Sequence, residues 1–177
     1  GENETLKISY PDCDIFISGY AEASVMKAIQ IEKPSEPVFL KEALDFTLLP
    51  SPYGNTIEIP EGQSMVRMET KRGCPYRCTF CAHRDLVKNK VSRHNLQRVF
   101  SDLLLFKNKR VKRVNVLDPV FNMGSEYIEV LKEIDRLGLK DTTFTFQTRM
   151  ELIKGLRGEE FLELVAKTGA HLEFGMQ

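Results

Sequence analysis

The stretch Ser64-Met65-Val66-Arg67-Met68-Glu69-Thr70-Lys71-Arg72-Gly73-Cys74-Pro75-Tyr76-Arg77-Cys78-Thr79-Phe80-Cys81 decides how this chain is read. Its first half, residues 64–70, predicts a β-strand, and that strand runs directly into a loop carrying three cysteines in a CxxxCxxC spacing. Gly73 and Pro75 suit a backbone that must bend tightly. Three thiolates this close together hold one inorganic centre and leave one of its coordination positions open. An open position turns a structural centre into a reactive one.

Downstream of the loop the sequence takes on a rhythm. Residues 95–106 predict an amphipathic helix, with Leu96, Val99, Phe100, Leu103 and Leu104 on one stripe. A strand is expected over 111–117 and a helix over 125–137, the latter with Tyr127, Ile128, Leu131 and Ile134 inward and Gly138 as its stop. A third strand (142–147), a third helix (159–168, ended by Gly169) and a fourth strand (171–176) complete the pattern. Strand–helix alternation with short connections implies parallel strands joined by crossovers. The expectation is half of a (β/α) barrel or one wing of an open parallel sheet. In both, chemistry collects at the carboxyl ends of the strands, where the cysteine loop lies.

Upstream, residues 14–19 form a short apolar run ending in glycine, and 22–31 carry helical spacing. This pair reads as the C-terminal remnant of an α/β, Rossmann-like domain over residues 1–32. Pro34, Pro37, Pro50, Pro52 and Pro60, with Gly54 and Gly62, read as a linker over 33–63. Residues 64–177 form the strand–helix domain. Gln177 follows directly on an apolar run, so the chain reads as part of a larger enzyme.

Composition narrows the class. Lys+Arg and Asp+Glu both number 25, so no global charge argues for a nucleic-acid or membrane partner. No apolar run approaches membrane-spanning length and the first residues are not a signal peptide, so a cytoplasmic protein is expected. Four cysteines are too few for a secreted disulfide framework, and three clustered ones read as metal ligands. Cys13, apart from the rest, reads as a small buried residue. Cys74, Cys78, Cys81 and His83 form an alternative Cys₃His zinc set. In that reading the loop is a metal-binding structural or interaction module. His83 follows Cys81 by only two residues, which strains closure around a single ion.

An iron–sulfur cluster uses the three thiolates better, because its irons take thiolate ligands. Cys74, Cys78, Phe80 and Cys81 match every element of CxxxCxΦC, with Φ aromatic. The chain thereby resembles the radical S-adenosylmethionine (SAM) superfamily, and residues 69–78 resemble the approach to that motif in its cobalamin-binding-domain subgroup. The resemblance extends from about Met65 to Gln177. It implies an α/β fold, the first half of a parallel (β/α) radical SAM partial barrel. It also implies a [4Fe–4S] cluster on the three cysteines, with SAM bound to the fourth iron. Reductive cleavage of SAM then gives a 5′-deoxyadenosyl radical that acts on a substrate, methyl transfer being one such reaction.

The resemblance carries further site residues. Phe80 is placed near the adenine. Leu117-Asp118-Pro119-Val120-Phe121-Asn122 resembles the end of the second barrel strand, where the superfamily often has a Gly-Gly-Glu segment that this chain lacks. Asp118 is the candidate there for the methionine ammonium. Gln147 and Arg149 stand at or past the end of the third strand, and Arg149 is a partner for the methionine carboxylate. Glu173, Gly175 and Gln177 share one face of the fourth, with Glu173 a ribose or substrate contact. Residues 14–31 resemble the tail of a cobalamin-binding domain, without the His-containing ligand motif, so cobalamin is not assigned.

Residues 71–98 hold Lys71, Arg72, Arg77, Arg84, Lys88, Lys90, Arg93 and Arg98 against the single acid Asp85. This stretch reads as a solvated face. Two functional readings compete with that one: neutralisation of an anionic cluster, or docking of an acidic electron donor such as flavodoxin or ferredoxin. It lacks the interleaved aromatic residues that RNA stacking uses.

Overall fold

The computed structural model describes residues 2–54, 56–81 and 90–175. The chain forms two compact units, Gly1–Asp45 and Phe46–Gln177. In the first, helix α1 (Glu2–Ser9) precedes strand β1 (Ile15–Ile17), helix α2 (Ala21–Ala28) and strand β2 (Val38–Leu40). The two strands pair in parallel, Ile15 opposite Val38 and Ile17 opposite Leu40, and the Phe16 and Phe39 rings stack with centroids 4.8 Å apart. The Glu42 amide donates to the buried Ser24 hydroxyl at 3.0 Å. Residues 38–40, expected within a linker, therefore belong to a sheet, and the division between units falls after Asp45. Three apolar residues close behind Pro37 are too few to show periodicity, which is why the proline-rich composition concealed them.

The second unit begins with strand β3 (Val66–Met68), which buries Val66 and Met68 and exposes Arg67 between them. Two short strands follow, β4 (Lys71–Arg72) and β5 (Ser92–Arg93), and pair antiparallel. Helix α3 (Leu96–Asn108) starts where the Asn95 side chain accepts from the Gln97 amide at 2.8 Å, a standard N-cap. Strand β6 (Arg113–Val116), helix α4 (Glu126–Leu137), strand β7 (Thr143–Thr148), a 3₁₀ turn (Met150–Leu152), helix α5 (Gly155–Thr168) and strand β8 (His171–Phe174) complete the order. Gly138 and Gly169 end their helices in the left-handed conformation, as the sequence predicts.

β3, β6, β7 and β8 form one parallel sheet in that spatial order. Spatial order equals chain order, so these four strands contain no reversal of direction of the kind that marks a doubly wound open sheet. A singly wound run is what half of a (β/α) barrel requires. β8 is shorter than expected and ends at Phe174; Met176 and Gln177 lie outside the described residues. α5 begins four residues before its predicted start. Its first turn holds Gly155 and Gly158, poor helix formers, but Gly158 lies so close to Ile153 that a Cβ there would sit 2.9 Å from the Ile153 carbonyl carbon.

The core lies between the sheet and its helices. Val99, Leu103 and Phe106 of α3, Ile128, Leu131 and Ile134 of α4 and Phe161 of α5 pack with Val114, Val116, Phe144 and Phe146 of the strands. Leu104, expected inward, is exposed, and Phe106, one turn on from the buried Leu103, continues the inward stripe. Phe146 matters beyond the sheet. It is 0% exposed, and Phe121 from the loop after β6 stacks on it with centroids 4.0 Å apart. The Phe121 amide also donates to the Gln147 carbonyl at 2.7 Å, so loop and strand end are fixed to each other. Phe146→Ala is expected to cost about 3–5 kcal/mol of stability. Urea unfolding measures this directly, and a loss below about 1 kcal/mol contradicts the packing described.

Candidate functional site

A cavity of about 760 Å³ opens at the carboxyl ends of the parallel strands. Its walls come from the cysteine loop and from the segments at the ends of β6, β7 and β8. The cysteine loop supplies Cys74, Cys78, Phe80 and Cys81, and the segment after β6 supplies Leu117, Pro119 and Val120. β7 and the turn beyond it give Gln147 through Glu151, and β8 gives Glu173 through Gly175. Seven of the eight residues expected at a site therefore line one cavity. Asp118 does not.

The cysteine loop is held at its base. Lys71 pairs with Arg93 and Arg72 with Ser92 across the β4–β5 ladder, and the His94 amide extends it by donating to the Thr70 carbonyl at 3.0 Å. Gly73 then takes φ +100°, and a Cβ there would lie 2.0 Å from the Lys90 carbonyl oxygen. Only glycine permits both that backbone conformation and that approach. Beyond it the Cys81 amide donates to the Cys78 carbonyl at 3.0 Å, folding the last two cysteines onto one turn. All three thiols are free and partly exposed. Among the described residues no three His, Cys, Asp or Glu groups converge on a point that would hold one ion. His83, the expected fourth zinc ligand, lies outside the described residues.

Asp118 is 0% exposed, and its carboxylate is spent inside the fold. Oδ1 accepts from the Thr70 amide at 2.8 Å and the Lys71 amide at 3.2 Å, and Oδ2 accepts from the Thr70 hydroxyl. Against the expectation that it meets a ligand ammonium, these three donors engage both oxygens, and Asp118 is absent from the cavity lining that Leu117 and Pro119 share. Burial pushes the Asp118 carboxyl up, opposed by Thr70 and by the Lys71 charge. Lys71 is itself buried, its Nζ donating to the Phe121 and Met123 carbonyls at 2.6 and 2.7 Å. Burial lowers its pKa to about 8 against the pull of Asp118 and Glu126.

Arg149 is held from several sides. Its guanidinium lies 3.9 Å from the centroid of the Tyr76 ring, Nη1 stands 3.8 Å from Cys78 Sγ, and Nε and Nη2 reach the Glu151 carboxylate. Its backbone is fixed as well. The Arg149 amide donates to Asn122 Oδ1 at 2.9 Å, and Asn122 Nδ2 donates to the Arg149 carbonyl at 2.8 Å. Tyr76, Asn122 and Glu151 were not anticipated; a lone Asn at the end of an apolar run was the available signal for the second. Phe80, 67% exposed, is a cavity-wall residue and not a core aromatic. Glu173, expected as a ribose or substrate contact, is exposed on β8, the edge strand among the described residues.

The basic stretch is not one solvated face. Lys71 is buried, Arg72 binds Glu69 through Nε at 2.6 Å and Nη2 at 2.7 Å, Arg93 pairs with Glu126 at 2.9 Å, and Arg98 turns toward His94 and Asp102. Arg77 and Lys90 are exposed, while Arg84, Lys88 and the acid Asp85 lie outside the described residues. Burial pushes the Glu69 carboxyl up, but His94, 3.7 Å away, and the two-pronged bond from Arg72 outweigh it and bring its pKa down to about 2. Among the described residues no helix is long and apolar enough to cross a membrane.

Comparison with known proteins gives consistent results. Residues 68–177 match the family model of the radical SAM superfamily. No curated protein matches. Among solved structures, the radical S-adenosylmethionine methyltransferase TsrM from Kitasatospora setae, with tryptophan substrate and a SAM analogue bound, aligns with TM-score 0.54 at 21% identity. That alignment covers 63% of this chain and 22% of the other. A second TsrM structure, with cobalamin and a [4Fe–4S] cluster bound, aligns with TM-score 0.53 at 21% identity over 66% of this chain and 23% of that one. At this identity the likeness shows a shared fold, and the chain spans under a quarter of the length of those enzymes.

Two outcomes follow from the geometry. Asp118→Ala removes the acceptor for three buried donors and the countercharge of Lys71, and is expected to cost about 3–5 kcal/mol in urea unfolding. A loss under about 1 kcal/mol contradicts the clamp. For Glu69 the folded pKa lies below the unfolded one, so its contribution is complete above about pH 4.5 and is lost as pH falls toward about 2. Wild-type stability measured across that window should therefore fall more steeply than that of Glu69→Gln. Parallel curves contradict the assignment.

Proposed function

Because the chain belongs to the radical SAM superfamily, we propose that Cys74, Cys78 and Cys81 hold a [4Fe–4S] cluster at the cavity, and that the enzyme cleaves SAM reductively to a 5′-deoxyadenosyl radical. The single observation that carries this reading is that three free thiols of one loop line the same cavity as the ends of β6, β7 and β8. The donor set fits the group: thiolates are the ligands cluster irons take, and three of them leave one iron for another ligand. When bound, the cluster supplies the single electron that breaks the sulfonium bond, drawn from an external one-electron reductant.

The remaining residues have roles that their positions support. Phe80 presents an exposed ring at the cavity wall, suited to an adenine face. Gln147 and Glu173 offer polar groups from adjacent strands, in register with each other across β7 and β8. Arg149 offers a guanidinium of the kind that pairs with a carboxylate. Asp118 acts at one remove, fixing Thr70 and Lys71 at the entrance to the cysteine loop. The parallel β1–β2 pair of the first unit supports reading that unit as part of an α/β domain preceding the barrel.

Anaerobic reconstitution with iron and sulfide tests the proposal. The expected product is a brown protein with iron and sulfide in equal amounts that forms 5′-deoxyadenosine from SAM and dithionite. Cys78→Ala should lose both colour and product. A colourless protein that takes up stoichiometric zinc instead overturns it and favours a structural module.

A further inference from the structure

We infer that Arg149 is a positioning residue that sets the reduction potential of the cluster, by holding a fixed positive charge and an N–H donor against Cys78. This rests on the reading of the three cysteines as cluster ligands, and it assigns Arg149 a task distinct from binding a ligand carboxylate.

The observations are of restraint around one sulfur. Nη1 lies 3.8 Å from Cys78 Sγ, and the guanidinium plane sits over Tyr76, two residues before that cysteine. Asn122 holds the Arg149 backbone through both its amide and its carbonyl. Glu151 takes the far side of the same guanidinium. An arginine side chain loses much rotamer freedom when fixed, so one held by a ring, a carboxylate and a clamped backbone, and only 27% exposed, is built into its place.

The consequence is electrostatic. Reduction adds one negative charge to a site already made anionic by thiolates, and the electron comes from an external reductant. No bond is made or broken and no proton moves, since the guanidinium stays charged throughout. A positive charge beside a ligating sulfur favours the more negative state, and hydrogen bonds to cluster sulfurs are among the determinants of cluster potential. Glu151 opposes this, because its carboxylate offsets part of the same charge. Arginine suits the position better than lysine: a planar group can stack on Tyr76 while directing one N–H to sulfur and the others to Glu151.

The test is a redox titration of the reconstituted enzyme with dithionite, followed by the electron paramagnetic resonance signal of the reduced cluster. Arg149→Gln is expected to shift the midpoint to more negative potential. Arg149→Lys should shift it less, since charge is kept while stacking and direction are lost. Glu151→Gln should shift it to more positive potential. Arg136→Gln, which removes an exposed arginine paired with Glu133 on α4, should leave it unchanged. Midpoints in Arg149→Gln and Glu151→Gln equal to wild type, at wild-type iron content, overturn the inference. If Arg149→Gln loses iron, Glu151→Gln decides alone because it retains Arg149. A wild-type protein with no cluster signal overturns the reading of the site and the inference with it, whereas a full signal with an unmoved midpoint overturns only the inference.

Discussion

The carboxylate of Asp118 is the contact on which the rest of the second unit depends. It joins the end of β6 to the chain that leads from β3 into the cysteine loop, through two amides and a hydroxyl. Lys71 then reaches in the opposite direction, from β4 to the Phe121 and Met123 carbonyls. Two segments that the sheet alone would leave loose at their tips are thereby crossed and tied. The arrangement buries a carboxylate and an ammonium, which is unfavourable unless their hydrogen bonds are satisfied. Here five hydrogen bonds to protein groups satisfy them, and the gain is a fixed entry to the cysteine loop at Gly73.

From that tie a second chain of contacts runs toward Arg149 in the cavity wall. Phe121 stacks on Phe146 beneath, Asn122 grips Arg149 beside it, and Arg149 meets the cysteine loop at Tyr76 and Cys78. The loop after β6 is thus a hub that contacts the first and third strands of the sheet at once. A parallel sheet makes such hubs natural, since every strand delivers its following segment to the same edge.

How much of this was legible in the sequence depended on the range of the interaction. The stripe on α4 and the glycine stops at Gly138 and Gly169 are local signals, and the structure follows them. The three cysteines stand out because their signal is a spacing along the chain, and the structure puts all three in the lining of one cavity. Asp118 was assigned a ligand because its partners stand 47 and 48 residues away, and nothing nearby in sequence indicates that a Thr and a Lys will consume both oxygens. Asn122 and Arg149, 27 residues apart, are invisible as a pair for the same reason. β2 escaped notice because three apolar residues carry no period, and the basic stretch misled because charges adjacent in sequence were dispersed among Glu69, Asp102 and Glu126.

The ladder of two residue pairs between β4 and β5 has a further meaning. It closes the cysteine-bearing segment into a lariat whose neck is formed by ordinary backbone pairing and sealed at Gly73 against Lys90. The entropy of joining the segment's ends is therefore met by the polypeptide and not by whatever the thiols bind. Loop closure depends only weakly on length, about 0.6 kcal/mol for each doubling. The neck therefore keeps Cys74 in place before the thiols bind anything.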